Sequence, residues 1–270
     1  IDSVYDEEPD AGLGNGGLGR LASCFMDSLA TLNYPAMGFT IRYEYGLFRQ
    51  RIVDNQQVEL PDMWLPSGEV WMMPRSDKRF TVNLGGRVEE FEENGKMRVR
   101  YVDGDKVDAL AYDVMISGYG DNAGVRVLRL WSATSSLQFD MRSFSQGDYE
   151  RAMQRENEAE LISKVLYPAD DHSQGKMLRL QQEYFLVSAS LQSIIKDHLR
   201  IYKNLKNLPD KAAIHANDTH PALAIPELMR LLMDEYDFSW DEAWDITSRT
   251  VNYTNHPFMA EALEKWYENT

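Results

Sequence analysis

The sequence predicts an α/β fold, on three observations. Apolar residues recur at helical spacing from residue 149 onward. Two short apolar runs, 211–216 (KAAIHA) and 250–254, bracket a pair of helical segments, the pattern of a βαβ-type open sheet. Between them and the N-terminus, residues 78–130 hold β-branched and aromatic runs broken at Gly85-Gly86, Asn94-Gly95, Asp103-Gly104 and 118–124, which reads as a β-rich meander. Asn-Gly and Asp-Gly are the strongest short hairpin signals, because both central residues of a type I′ turn need positive φ.

In chain order, residues 18–32 form a helix, with Leu18, Leu21, Phe25, Leu29 and Leu32 at steps of three and four. Residues 36–54 read as one or two strands with a turn at Gly46. A helix over 149–166 is stopped by Pro168, and a long helix covers 175–202. Helices are expected over 222–236 and 240–247, and a further one opens over 258–266. Trp240 and Trp244, four apart, are expected to pack, whereas the acidic run 88–94 is expected to be a solvated strand face. The organisation is thus a part over 1–150 with the glycine run and the β-rich segment, and a helical and βαβ part over 151–270. Position 1 is Ile, and the last helical pattern runs almost to the final residue, so the chain reads as an internal piece of a longer one.

Composition bounds the partners. The 270 residues carry a formal charge of −15, and the 28 basic residues are dispersed. That excludes the clustered Lys/Arg surface that nucleic acid requires and docking on an anionic membrane, but not a neutral sugar or a locally basic phosphate site. A single cysteine, Cys24, rules out an internal disulfide framework and a cysteine metal cluster, and cytoplasm is the expected compartment.

The most unusual local sequence is GLGNGGLGR, Gly12 to Arg20. Glycines let backbone approach a ligand closely, and the N-terminus of the helix they open offers unpaired amides to an anion, with Arg20 a possible added charge. The run fits G-x-G-x-x-G twice, but a dinucleotide site needs a hydrophobic strand directly before it. Asp6-Glu7-Glu8-Pro9-Asp10 cannot supply one, which speaks against a nicotinamide-dependent dehydrogenase. A bare glycine-rich turn capping the helix is the plain alternative.

Two polar clusters follow strands. Asn217-Asp218-Thr219-His220-Pro221 closes the 211–216 strand, and Asn255-His256 closes the 250–254 strand. Helix capping explains Asp or Thr before Pro221 but not both Asn217 and His220. The carboxyl ends of strands are where open sheets bind ligands, so the two clusters could line one pocket. The link 169–175 (ADDHSQG) is either a solvated helix connection or a gate; it has no partner spacing for a metal, and none is expected.

Taken together, AGLGNGGLGRLASCFMDSLATL, GFTIRYEYGLFRQ, RLWSA, SKVLYP, GKMLRLQQEYFLVSASLQ, NDTHPALAIPELMR and YTNH followed by AEALEKW occur in the order found in α-glucan (glycogen, starch or maltodextrin) phosphorylases. The chain resembles that family over essentially its whole length, bacterial maltodextrin-type members most. The resemblance implies an incomplete N-terminal Rossmann-like lobe of a two-lobe, GT-B type retaining glycosyltransferase, with the C-terminal cofactor lobe absent. It implies phosphorolysis of terminal α-1,4-glucosidic bonds by inorganic phosphate to glucose 1-phosphate, using pyridoxal phosphate on a lysine outside this chain. Gly16, Gly17 and Leu18 would give backbone amides to phosphate and glucosyl oxygens, with Gly16 and Gly17 near the cofactor phosphate and Asn15 beside them in the substrate site. His256 would hydrogen-bond the glucosyl unit, Asp218 and His220 would line the same catalytic pocket, and Asp171 would face substrate from the gate loop. The 149–166 helix would mediate a homodimer in the parent.

Three departures stand out. The gate loop lacks the aromatic pair of muscle-type members, Pro257 replaces a Thr after His256, and Lys196-Asp197 replaces the paired arginines that hold AMP phosphate, so no AMP site of that kind is expected. Without the cofactor lysine the isolated chain is expected to be inactive; the alternative is a non-catalytic oligosaccharide- or phosphate-binding fragment.

Overall fold

A computed structural model describes residues 7–260 and 263–266. It is mixed α/β and divides into two compact units, one of residues 1–79 with 107–179, the other of 80–106 with 180–270.

The first unit holds β1, β8 and most of β7 and β4 of a four-stranded sheet in the order β1-β8-β7-β4; residues 80–84 of β4 and 105–106 of β7 belong to the second unit. Strand β1 (Met37–Ile41) runs parallel to β8 (Val125–Ser135), and β8 runs antiparallel to β7 (Asp105–Ser117); β4 (Met72–Leu84) is the far edge. Leu130, Trp131, Ala109 and Ala111 are buried on these strands, with Ile41 beside them. Asp113 and Arg129 face each other in the β7/β8 register and are both buried. Their two hydrogen bonds, each 2.8 Å, and a third from Arg75 to Asp113 at 2.9 Å satisfy the charge that burial would otherwise penalise. The helix Gly17–Thr31 lies across β8, and Gly38 makes room for it: a methyl there would meet Met26 Sδ at 3.1 Å. Its apolar stripe is only partly used, since Leu21, Phe25 and Leu32 remain exposed.

Gly46 does not turn β1 back on itself. Strand β1 pairs with β8, while Arg49–Val53 (β2) pairs with a strand the sequence reading missed, Gln56–Leu60 (β3), through Asp54 and Asn55 at φ 50° and 61°. The helix expected over 149–166 is also shorter. Asp148 caps it and it runs Tyr149–Glu160, continues as a 3-10 turn over Leu161–Ser163 and then leaves helical geometry. The reason is that Ser163 O and Lys164 O accept the amides of Glu44 and Tyr45 at 3.1 and 2.9 Å, and Ser163 Oγ accepts that of Ala133 at 3.1 Å.

In the second unit, Arg87–Glu93 (β5) and Lys96–Val102 (β6) form the predicted hairpin at Asn94-Gly95, whose φ values are 53° and 75°. Asp103-Gly104 is no hairpin turn. It passes against Gly85-Gly86 at the hairpin's base, where a methyl on Gly86 would lie 2.7 Å from Gly104 N. The meander is therefore made of three long strands, β4, β7 and the start of β8, with a side hairpin between the first two.

Strand β9 (Ile214–Asn217) pairs in parallel with β10 (Val251–Thr254), so the expected strand–helices–strand crossover is present. Its helical part is Ala224–Arg230, a π-helical turn over Leu231–Glu235, and Trp240–Thr250. Ser239 and Glu242 form a capping box; hydrogen bonds from Lys206 and Ser239 hold the Glu242 carboxyl down at about 2. Trp240 and Trp244 are exposed, contrary to expectation, because the buried face of that helix is Ala243, Ile246, Thr247 and Thr250. Of the helix expected over 258–266, residues 261 and 262 lie outside the described residues, and Phe258, Met259 and 263–266 are not helical. Among the described residues no helix is long and apolar enough to cross a membrane.

Candidate functional site

The glycine run separates into two kinds of position. Gly12, Gly14 and Gly19 are glycines because something is already there. A methyl on Gly12 would lie 2.6 Å from Trp64 Nε1 and 2.9 Å from Gly46 Cα, and one on Gly19 would lie 2.9 Å from Gly14 Cα. Gly14 and Gly19 thus close the neck of a turn. Gly16 and Gly17 have nothing within 4 Å of where a methyl would sit. Gly16 is the cap of the helix Gly17–Thr31 with extended backbone, φ −169°, so no left-handed conformation demands glycine there. The helix start has no side-chain cap and no acidic residue in its first turn. Its first amides are therefore not taken by a capping side chain, and no carboxylate of the helix's own first turn opposes an anion.

A stability test separates the two kinds. Gly12→Ala should cost about 1–3 kcal/mol by overpacking against the Trp64 ring. Gly17→Ala should be neutral or stabilising by up to about 1 kcal/mol, since Ala is the better helix former. Denaturant titrations of the two variants check this; equal losses would mean that both glycines are packing residues.

The link 169–175 is organised, not loose: its last three residues already belong to the long helix, which runs Ser173–Tyr202 and so begins two residues before the expected start. His172 Nδ1 accepts the Gly175 amide at 3.0 Å, His172 O accepts the Lys176 amide at 3.1 Å, and Arg179 reaches Asp170 at 3.2 Å. A methyl on Gly175 would collide with the Ala169 carbonyl, so the two ends of the loop touch. Accepting at Nδ1 puts the proton of a neutral His172 on Nε2. Asp171 lies at the loop's tip with its carboxylate exposed.

In the second unit, the ends of β9 and β10 come together as the sequence pattern suggested. Thr254 and Asn217 are register partners, and the Asp218 amide donates to Thr254 O at 2.9 Å. Asp218 is buried at φ 71°, and its carboxylate accepts the Thr219 amide at 2.8 Å. That backbone position is unusual for a non-glycine residue, and Asp tolerates it because its short side chain hydrogen-bonds locally. His256 Nε2 lies 2.7 Å from Asn217 Oδ1. An amide oxygen cannot donate, so Nε2 carries the proton and a neutral His256 offers Nδ1 as an acceptor, on an exposed ring. His220 lies half-buried in the turn that leads into the helix Ala224–Arg230. Asn255 is tied locally, accepting from Tyr253 Oη at 2.9 Å and donating to Pro257 O at 3.1 Å.

A carbohydrate phosphorylase family model matches residues 1–270. The chain belongs to the carbohydrate phosphorylase family. It is 53% identical to the glycogen phosphorylase of Haemophilus influenzae over 266 residues, which is 98% of this chain and 32% of that protein. It is 49% identical to the glycogen phosphorylase of Bacillus subtilis over 98% of this chain and 32% of that one. With the cytosolic alpha-glucan phosphorylase 2 of Arabidopsis thaliana the identity is 49%, over 100% of this chain and 32% of the relative. The chain spans about a third of the length of these phosphorylases.

The sequence reading singled out the polar and glycine positions of this phosphorylase segment but missed what holds them. Gly46 was read as a turn and not as the brace of Gly12 that it is, and Trp64, the other brace, lies in a stretch without a period-2 or period-3.6 pattern, where only its residue type could have hinted at close packing.

Proposed function

We propose that this chain is part of the N-terminal lobe of an α-glucan phosphorylase, a GT-B type retaining glycosyltransferase that uses phosphate to release glucose 1-phosphate from terminal α-1,4-linked glucose. The parallel β9/β10 pair with its helical crossover supports the Rossmann-like lobe. In this reading 1–150 and 151–270 are successive parts of that lobe. The parent is cytoplasmic, and the helix Tyr149–Glu160 with the turn after it takes part in a homodimer.

The observation that carries the reading is the pair Gly16 and Gly17, open to solvent at an uncapped helix N-terminus. Glycine there costs the helix stability relative to Ala without filling any internal need. A ligand that must approach the backbone explains it. The amides of Gly16, Gly17 and Leu18 bind phosphate and glucosyl oxygens, with Asn15 beside them, and the open, acid-free helix start suits the pyridoxal phosphate group's anionic end. That cofactor, on a lysine outside this chain, supplies a phosphate that exchanges protons with the substrate phosphate. His256, held by Asn217, accepts a hydroxyl of the glucosyl unit through Nδ1. Asp218 and His220 belong to the polar network at those strand ends, and Asp171 faces substrate from its loop. By itself, without that lysine, the chain is inactive; the alternative is a fragment that binds oligosaccharide or phosphate without turnover.

The test is glucose 1-phosphate release from maltoheptaose and inorganic phosphate by the full-length parent, with and without pyridoxal phosphate. Release that depends on the cofactor is expected. No release in either condition would overturn the reading.

A further inference from the structure

The segment 44–46 touches, on its two sides, the bases of two loops that the function above uses, and all of these residues belong to the first unit. On one side, Tyr45 forms an isolated parallel bridge with Val165: its amide donates to Lys164 O at 2.9 Å and its carbonyl accepts the Leu166 amide at 3.0 Å. The Glu44 amide donates to Ser163 O at 3.1 Å, and Lys164 Nζ pairs with Glu44 at 2.5 Å. The polar loop 169–175 begins three residues after Leu166. On the other side, the Gly46 amide donates to Asp62 O at 3.0 Å, and a methyl on Gly46 would lie 3.3 Å from Gly12 Cα and strike the Asp62 carboxylate. Trp64, 3% exposed, packs on Gly12 as well. Gly14, where the glycine turn closes, is two residues on.

Gly46 is not among the residues with positive φ, so its backbone conformation does not call for glycine. The missing side chain serves close approach alone. The Asp62 carboxylate can turn aside, but the Gly12 backbone has no rotamer to absorb a displacement, and a packed interior transmits it.

Resting on the function proposed above, we propose that Gly46 is a positioning residue for the reaction: with the Tyr45 rung it seats the glycine turn and the 169–175 loop on one frame. Binding groups must be held to within about 0.5 Å, and a misplacement of about 1 Å costs on the order of 100-fold.

The test uses the full-length parent with Gly46→Ala, read by hydrogen exchange with mass spectrometry and by glucose 1-phosphate release. Exchange should rise together in peptides covering 12–19 and 167–176, and kcat/KM for phosphate should fall on the order of 10- to 100-fold. Asp62→Ala in the same protein removes the carboxylate that the new methyl meets and should restore part of both. Glu44→Gln, a half-buried change that weakens the pair with Lys164 but leaves the backbone rung in place, should raise exchange in the same two segments by less. A rise confined to one segment, or absent in both, overturns the shared frame. A rise spread equally over β7 and β8 overturns positioning in favour of general destabilisation. If the unsubstituted parent releases no glucose 1-phosphate, the proposed function fails, while the exchange data still decide whether the frame exists.

Discussion

Replacing Arg230 by Met should destabilise the protein by about 3–5 kcal/mol. Glu227 is 3% exposed, and its carboxylate accepts four hydrogen bonds, from Arg230 Nε at 2.7 Å, Arg230 Nη2 at 2.9 Å, Tyr184 Oη at 2.9 Å and Ser188 Oγ at 2.7 Å. Burial, and then the neighbouring Glu227 charge, push the Tyr184 phenol up to about 12, so it stays a neutral donor at any ordinary pH. Removing the guanidinium leaves a buried charge with only two neutral donors. Removing the charge as well, in Glu227→Gln/Arg230→Met, should recover at least half of the loss, because most of the penalty is that of an uncompensated carboxylate. Denaturant midpoints for the two variants decide this; a double variant no better than the single would show that the arginine matters through packing over Tyr101, whose ring its Cζ lies 5.5 Å from.

The second large effect concerns activity. In the full-length parent, His256→Ala should lower kcat/KM on the order of 100-fold, the scale of losing one oriented polar group at a reacting centre. Asn217→Ala should lower it less, about tenfold, because the imidazole remains but the bond that fixes its tautomer and ring plane is gone. Steady-state kinetics with maltoheptaose and phosphate check both. An Asn217 variant as impaired as the His256 variant would mean that Asn217 itself contacts substrate, and a fully active His256 variant would remove His256 from the site.

How legible the molecule is from its sequence depends on whether a signal is local. Asn94-Gly95 announces its hairpin because the turn's two positive φ values need those residue types and nothing distant decides them. Asp103-Gly104 carries the same signature, yet serves a chain crossing beside Gly85-Gly86, since which strands pair is a tertiary choice. Strand β3 reads QQVEL and is almost fully exposed, so it has no apolar alternation to detect. Trp240 and Trp244 have helical spacing but lie on the face away from Ala243 and Ile246; spacing locates a stripe without saying which stripe the fold covers. Among the candidate residues, the polar clusters at strand ends were legible because a strand must end somewhere and its next residues sit at the sheet's edge. The bracing of Gly12 by Trp64 and Gly46 was not, because a steric fit between positions so far apart leaves no periodic trace.

The interleaving of the two units has a consequence for how the chain is made. The first unit needs residues up to 179, while the stretch 80–106, already synthesised, belongs with partners from 180 onward. During elongation at about 5–20 residues per second, 80–106 must wait for several seconds with its own partners still unmade. What waits is mostly a self-paired hairpin of charged strands, in which Glu89 is bridged by Arg87 and Arg100. Charged edges discourage pairing with a neighbouring nascent chain. Phe80, Val82 and Leu84, at the end of β4, are the apolar residues of that stretch that the folded chain buries, among the described residues.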